Sequence, residues 1–243
     1  GKDFTYTLPN VTEDITLDVY VQNAADVRLR RTLWISGGTL EKALTEEECG
    51  TVKNLTLFGT MDDRDFAFIR EKMLVDSLDL SGVTITANGT SAANAIPTRA
   101  FSRYGSLKYV KLPKSINRLG ANAFECTGLS EVEIPASVAT WGYNVFLNCS
   151  RLTKVRSLRG TPAFVNWCVF VGSPRTQLIV PKGSAALYAA KDNWKDFKSI
   201  VEEEILPETA YKVIIQDADG VEVTPLDGNG QEVAPGTKYR FTV

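Results

Sequence analysis

The sequence predicts an α/β protein, a solenoid of short parallel strands in which each coil returns to one sheet. Two observations carry this. First, between Ile96 and Leu158 the chain repeats itself: Phe101, Phe124 and Phe146 recur at spacings of 23 and 22, while Leu107, Leu129 and Leu152 recur at 22 and 23, as do Val110, Val132 and Val155. Second, apolar pairs separated by one residue run through most of the chain: Leu33/Ile35, Leu55/Leu57, Leu78/Leu80, Val110/Leu112, Val132/Ile134, Val155/Ser157 and Leu178/Val180. Their first members step by 22, 23, 32, 22, 23 and 23 residues. A period in the low twenties carrying L-x-x-L-x-L describes a leucine-rich repeat. No single coil buries its apolar face, so successive coils must stack. Seven parallel strands are expected, about 4.8 Å apart.

In chain order, residues 1–31 lie outside the repeat. Phe4-Tyr6-Leu8 and Ile15-Leu17-Val19-Val21 alternate with polar residues around Pro9-Asn10, the pattern of a small β pair. This segment is expected to cap the first coil, because an open solenoid end is prone to aggregate. The solenoid proper is expected over 32–204. Its early coils carry two amphipathic stretches, Thr39–Glu48 with Leu40, Ala43 and Leu44, and Met61–Lys72 with Phe66 and Ile69. Both predict short helices. The carboxylates Asp62, Asp63 and Asp65 are read as a capped helix start, not as a metal cage. The long step of 32 residues contains the Gly/Ala/Ser/Asn-rich stretch 86–95, a loop insertion. From Ile96 onward helical periodicity disappears and the connections are expected to be turns.

The best-matched coils run Ile96-Pro97…Ala100-Phe101…Leu107, then Leu112-Pro113-x-Ser115-Ile116…Leu119-Gly120-x-x-Ala123-Phe124-x-Cys126…Leu129. The next keeps Ile134-Pro135-x-Ser137-Val138…Phe146…Cys149…Leu152, with Trp141-Gly142 replacing an aliphatic residue and Gly, and Val145 replacing Ala. These coils resemble the repeat of the BspA-like bacterial surface proteins. The resemblance covers roughly Leu33 to Glu204 and implies a secreted or cell-surface protein, often a lipoprotein, with adhesion or host-protein binding as its function. It brings no catalytic residue.

Cys49, Cys126, Cys149 and Cys168 show no C-x-x-C, and histidine is absent, so no zinc-type ligand set is recognisable and no cofactor is expected. Cys126 and Cys149 are read as stacked equivalents, buried and unbridged. After the last repeat pair, Ser184–Ile200 reads as an amphipathic helix presenting Leu187, Tyr188, Trp194 and Phe197 over the final coil. Glu202-Glu203-Glu204 and Pro207 mark a boundary. Beyond it, 205–243 alternates as strands around Asp219-Gly220 and Gly228-Asn229-Gly230, a small C-terminal β-domain fragment that stops inside a strand-like run, as a truncated domain would.

Charge is unevenly distributed. Residues 1–95 carry 9 Lys+Arg against 15 Asp+Glu, a net of −6; residues 96–200 carry 15 against 5, a net of +10; residues 201–243 carry 3 against 9, again −6. The basic stretch is either an anion-preferring surface or ordinary solvated charge. No nucleic-acid motif accompanies it, and no apolar run is long enough to span a membrane.

The outward residues of the strands define the candidate ligand face. They are Trp34, Thr56, Asp79, Lys111, Glu133, Arg156 and Ile179, flanked by Thr32, Asn54, Ser77, Tyr109, Glu131, Lys154 and Gln177. Tyr109, Lys111, Lys154 and Arg156, with Trp34, form the expected contact patch for an extracellular protein or acidic glycan. The competing expectation is that Lys111, Glu133 and Arg156 pair across strands. A non-catalytic recognition or adhesion module, monomeric and on the outer cell surface or extracellular, is therefore expected. The alternatives are a passive stalk for a further C-terminal domain and, with no nucleophile motif in the sequence, an enzyme.

Overall fold

The computed structural model describes residues 29–89 and 91–204 throughout, and the backbone of six strands outside that range. The chain divides into two compact units: residues 27–205, and the two ends together, 1–26 with 206–243.

The end unit begins with β1 (Asp3–Thr7) and β2 (Ile15–Asp18). The repeat unit follows. Its strands are β3 (Arg30–Ile35), β4 (Asn54–Met61), β5 (Ser77–Ile85), β6 (Ala95–Ile96), β7 (Tyr109–Lys111), β8 (Arg118–Leu119), β9 (Glu131–Ile134), β10 (Thr140–Trp141), β11 (Lys154–Ser157), β12 (Gln177–Pro181) and β13 (Ser199–Glu203). Its helices are α1 (Leu40–Ala43), α2 (Glu46–Thr51), α3 (Asp63–Lys72) and α4 (Ala185–Ala189). The chain then returns to the end unit with β14 (Tyr211–Gln216), β15 (Thr224–Pro225), β16 (Glu232–Val233) and β17 (Lys238–Thr242).

The two ends pair with each other. β1 and β15 run antiparallel to β17, β2 runs parallel to β14, and β16 runs antiparallel to β14. The division expected from the sequence, an N-terminal cap over 1–31 and a separate domain over 205–243, is thus replaced by one unit built from both. Alternating sequences leave strand edges in need of partners, and each end supplies them to the other. The segments between these strands lie outside the described residues, including the Asp219-Gly220 and Gly228-Asn229-Gly230 turns.

The repeat unit carries eight parallel rungs where seven were expected. They form two four-stranded runs, β3-β4-β5-β7 and β9-β11-β12-β13, adjoining where the Ser130 N–H donates to the Lys108 carbonyl at 3.3 Å. Period-2 burial follows from the pleat: along β9, Val132 and Ile134 are buried while Glu131 and Glu133 are exposed. Pairing places Val155 opposite Val132 and Leu178, and Leu178 opposite Ile200.

The first rung sits two residues from its expected register. Arg31, not Leu33, lies opposite Leu55, and Leu33 lies opposite Leu57. A slip of two preserves which face each side chain takes, so the core is unaffected. Its consequence falls on the open face: Trp34 pairs with Phe58 in place of Thr56. The next pairing then shifts between Thr56 and Phe58, bringing Phe58 opposite Gly82.

A ladder of aromatic rings runs through the unit's interior. Phe66 meets Phe101 edge-on at 5.5 Å; Phe101, Phe124, Phe146 and Phe170 then stack at 5.4, 5.3 and 5.7 Å. Trp194 closes the ladder, 5.7 Å from Phe170. The repeating phenylalanine thus extends one coil each way beyond the three read in the sequence. Identical rings at one rung spacing give each coil the same stacked contact.

The helices are shorter than expected. The first amphipathic stretch breaks at Leu44-Thr45, because Thr45 caps a second helix and closes a capping box with Glu48. α3 begins after Asp62, whose box with Asp65 confirms the helix-start reading of those carboxylates. The Arg64 side chain bonds the Asp62 carboxyl and holds it below the usual carboxylate range. At the far end only α4 is helical; turns follow, and Ile200 belongs to the last strand. Connections after Ile96 are mostly turns, but Ile96, Leu119 and Trp141 align in a second parallel sheet, β6-β8-β10.

All four cysteines are free thiols. Cys149 is buried and Cys126 only half-buried. Phe124 and Phe146 set the true coil spacing of 22, so Cys126 answers to Asn148 and Cys149 to Thr127. Both Cys126 and Asn148 have φ near +55° (54° and 55°).

Ser157, the polar member of the inward column, is buried and meets the Tyr188 hydroxyl at 2.7 Å; that hydroxyl donates to the Arg159 carbonyl at 2.8 Å. Tyr188→Phe should cost about 1–3 kcal/mol by stranding these groups, read as a lowered urea midpoint. Adding Ser157→Ala should recover part of the loss, since removing both partners leaves less unpaired.

Candidate functional site

The open face of the long sheet holds all five residues singled out from the sequence, but not as one cationic patch. Tyr109 and Trp34 are solvent-exposed, at 51% and 59%. Trp34 stacks on Phe58 at 5.1 Å, and Gly82 leaves room for the Phe58 ring: a Cβ there would sit 2.2 Å from it. The two-residue register shift therefore makes an aromatic pair at the first rungs. Lys111 and Arg156 remain on the column expected for them, with Asp79 opposite Lys111 and Glu133 opposite Arg156.

The cations are engaged. Lys154 pairs with Glu131 at 3.1 Å, and Arg156 lies between Glu133, at 3.5 Å, and Glu203. Lys108 pairs with Asp76 at 2.8 Å, and Lys182 approaches Glu204 at 3.9 Å. Acids of the flanking sequence blocks (Asp76, Glu203, Glu204) thus neutralise bases of the central one. Arg156 and Glu133 thus pair across strands as the competing expectation had it, and Lys154, which that expectation did not include, pairs across strands with Glu131. These pairs are substantially exposed, so each contributes at most about 1 kcal/mol and is open to exchange with a ligand.

A second feature lies on the other side of the coils, wholly within the repeat unit. It is a cleft of about 700 Å³ over the β6-β8-β10 sheet. Its floor is made of small residues, Ala95, Gly120 and Gly142. A Cβ on Gly120 would come within 2.5 Å of the Thr98 backbone, and one on Gly142 within 2.3 Å of Ala121; glycine there lets adjacent coils close up. α3 contributes Asp63 and Arg70 to one wall, and the 86–95 insertion contributes Ser91. Arg118, Trp141, Tyr143, Phe164 and Asn166 complete it. Sequence reasoning did not assemble this site. Its two signals, the insertion and Trp141-Gly142, were both visible as departures from the repeat.

Among the described residues no group of three or more His, Cys, Asp or Glu converges as a metal site. Burial pushes the Cys149 and Cys49 thiols up, away from the reactive thiolate. No described helix is long and apolar enough to cross a membrane.

A leucine-rich-repeat array offers an extended sheet as a ready binding surface. Residues 67–183 match the BspA type leucine rich repeat region in six copies, so this stretch of the array carries repeats of the BspA type. Among solved structures, a leucine rich cell surface protein from Faecalibacterium prausnitzii A2-165 aligns at 15% identity and TM-score 0.30, covering 82% of this chain and 76% of its own. A leucine-rich repeat protein from Bacteroides ovatus ATCC 8483 aligns at 13% identity and TM-score 0.30, covering 88% and 70% respectively. No match was found among curated proteins.

Proposed function

We propose that this chain is a non-catalytic recognition module, secreted or held at the bacterial cell surface, that binds an extracellular protein as a monomer through its open sheet face. One observation carries the reading: on rigid consecutive rungs, exposed aromatics (Trp34 on Phe58, and Tyr109) stand among cations and anions of alternating sign. Such a mosaic suits a protein surface, with aromatic anchors and charge complementarity. An acidic glycan would suit a uniformly basic face, and Glu131, Glu133 and Glu203 remove that uniformity here. The passive-stalk reading leaves the exposed aromatic pair without a role.

The test is surface plasmon resonance of the whole chain against a panel of purified extracellular proteins. A partner should lose at least about tenfold in affinity on Tyr109→Ala combined with Lys111→Glu, and its on-rate should fall with salt. The melting temperature should stay within a few degrees, since both side chains are exposed. Arg156→Glu is a poor probe, because it would crowd three carboxylates. Binding indifferent to the double substitution and to salt places the contact elsewhere; a stalk binds nothing in the panel.

A further inference from the structure

The outer cleft is a second site, chemically unlike the sheet face. Its volume, about 700 Å³, lies in the small-molecule range of roughly 300–1,000 Å³. Two exposed rings line it, Tyr143 at 63% and Phe164 at 74%. Solvent-exposed rings beside a floor of small residues suit a flat, partly apolar ligand face, such as the C–H face of a pyranose stacked on an aromatic ring. Polar groups around them would then meet its hydroxyls.

The polar groups are donors in excess. The Arg118 guanidinium makes no ion pair or hydrogen bond among the described residues. The indole N–H of Trp141 is closed off from solvent and has no acceptor among the described residues, an arrangement that costs free energy. Asn166 uses its carbonyl oxygen within its own loop, facing the Cys168 N–H and thiol at 3.5 Å, and its amide N–H groups remain. The one carboxylate in the cleft is spent: Asp63 accepts from Asn88 at 2.6 Å and Ser91 at 3.2 Å, one bond on each oxygen. Such a lining suits a ligand that is rich in acceptors and negatively charged. A guanidinium fork meets a carboxylate with two parallel bonds.

We infer that this cleft binds a carboxylated pyranose, a uronic or sialic acid unit of an acidic glycan, stacked on Tyr143 or Phe164 with its carboxylate on Arg118. The site exists because the repeat is interrupted. Ser91 and Ala92 of the insertion line one wall, and Trp141, standing where the equivalent coils have Ile96 and Leu119, brings the unpaired N–H.

The experiment is an NMR titration of the whole ¹⁵N-labelled chain, following the Trp141 indole resonance, assigned by its loss in Trp141→Phe. Galacturonic acid and N-acetylneuraminic acid are the probes, with galactose as the neutral counterpart. At least one acid should shift that resonance saturably and bind at least about tenfold more tightly than galactose. Arg118→Gln, and Tyr143→Ala combined with Phe164→Ala, should each weaken the acid at least about tenfold without moving the melting temperature. Lys111→Glu, on the sheet face, should leave it unchanged, which separates this site from the protein-binding face. No saturable shift with either acid, equal affinity for galactose, or full binding by both cleft variants overturns the inference.

Discussion

Trp194→Ala is expected to destabilise the repeat unit by about 3–5 kcal/mol. The indole is 1% exposed and is the largest fully buried side chain among the described residues. It meets Tyr188 at 5.3 Å, Trp141 at 5.6 Å and Phe170 at 5.7 Å, all edge-on or steeply inclined. Its Nε1–H donates to the Ala163 carbonyl at 2.9 Å. Truncation opens a cavity at the end of the aromatic ladder, between Phe170 and Phe197, and strands a buried carbonyl. Guanidinium chloride denaturation reads the loss directly, and Trp194→Phe should recover more than half of it. A change below about 0.5 kcal/mol would mean the indole is a surface residue. Because Trp141 leans on Trp194, the alanine variant should also loosen the back of the outer cleft and weaken any ligand there.

The parts of this architecture that repeat were legible in the sequence, and the parts that depart from repetition were not. Val132, Val155 and Leu178 were placed correctly because period, burial and pairing all state the same thing. The first rung was misplaced because Leu33 and Ile35 satisfy the pattern in either of two registers two residues apart. Hydrophobicity cannot distinguish them; the bulge between Thr56 and Phe58 and the fit of a ring over Gly82 do. The two-residue error hid the Trp34–Phe58 stack. The last rung was missed because Ser199–Glu203 is polar along most of its length and is a strand only by pairing with β12. The pairing of the two chain ends is a contact across nearly the whole length of the sequence, about which local pattern is silent. The charge blocks were counted correctly, yet Asp76, Glu203 and Glu204 reach into the basic stretch in three dimensions.

Asp65→Ala should be as damaging as the loss of Trp194, at roughly 3 kcal/mol or more, although it removes only a carboxylate. Asp65 is 1% exposed and accepts three backbone N–H groups: Gly38 at 2.7 Å, Asp62 and Leu40 at 3.0 Å each. Each buried donor left unpaired costs about 1–3 kcal/mol, and water entering the vacated space offsets part of the sum. Two of these donors belong to the preceding coil, so the carboxylate ties the turn after β3 to the start of α3. Asp65→Asn is a sharper variant. It preserves volume but turns one acceptor into a donor facing amide N–H groups, so it should recover only part of the loss. Asp63→Asn is the control, since Asp63 is half-buried and bonds only side chains; its cost should stay below about 1 kcal/mol. Hydrogen exchange localises the effect: the Gly38 and Leu40 amides and the β3 edge should lose protection first, while the Phe124–Phe170 coils keep theirs. Uniform loss across all coils, or a cost for Asp65→Ala below about 1 kcal/mol, would show that the first coil is held by its apolar contacts without this carboxylate.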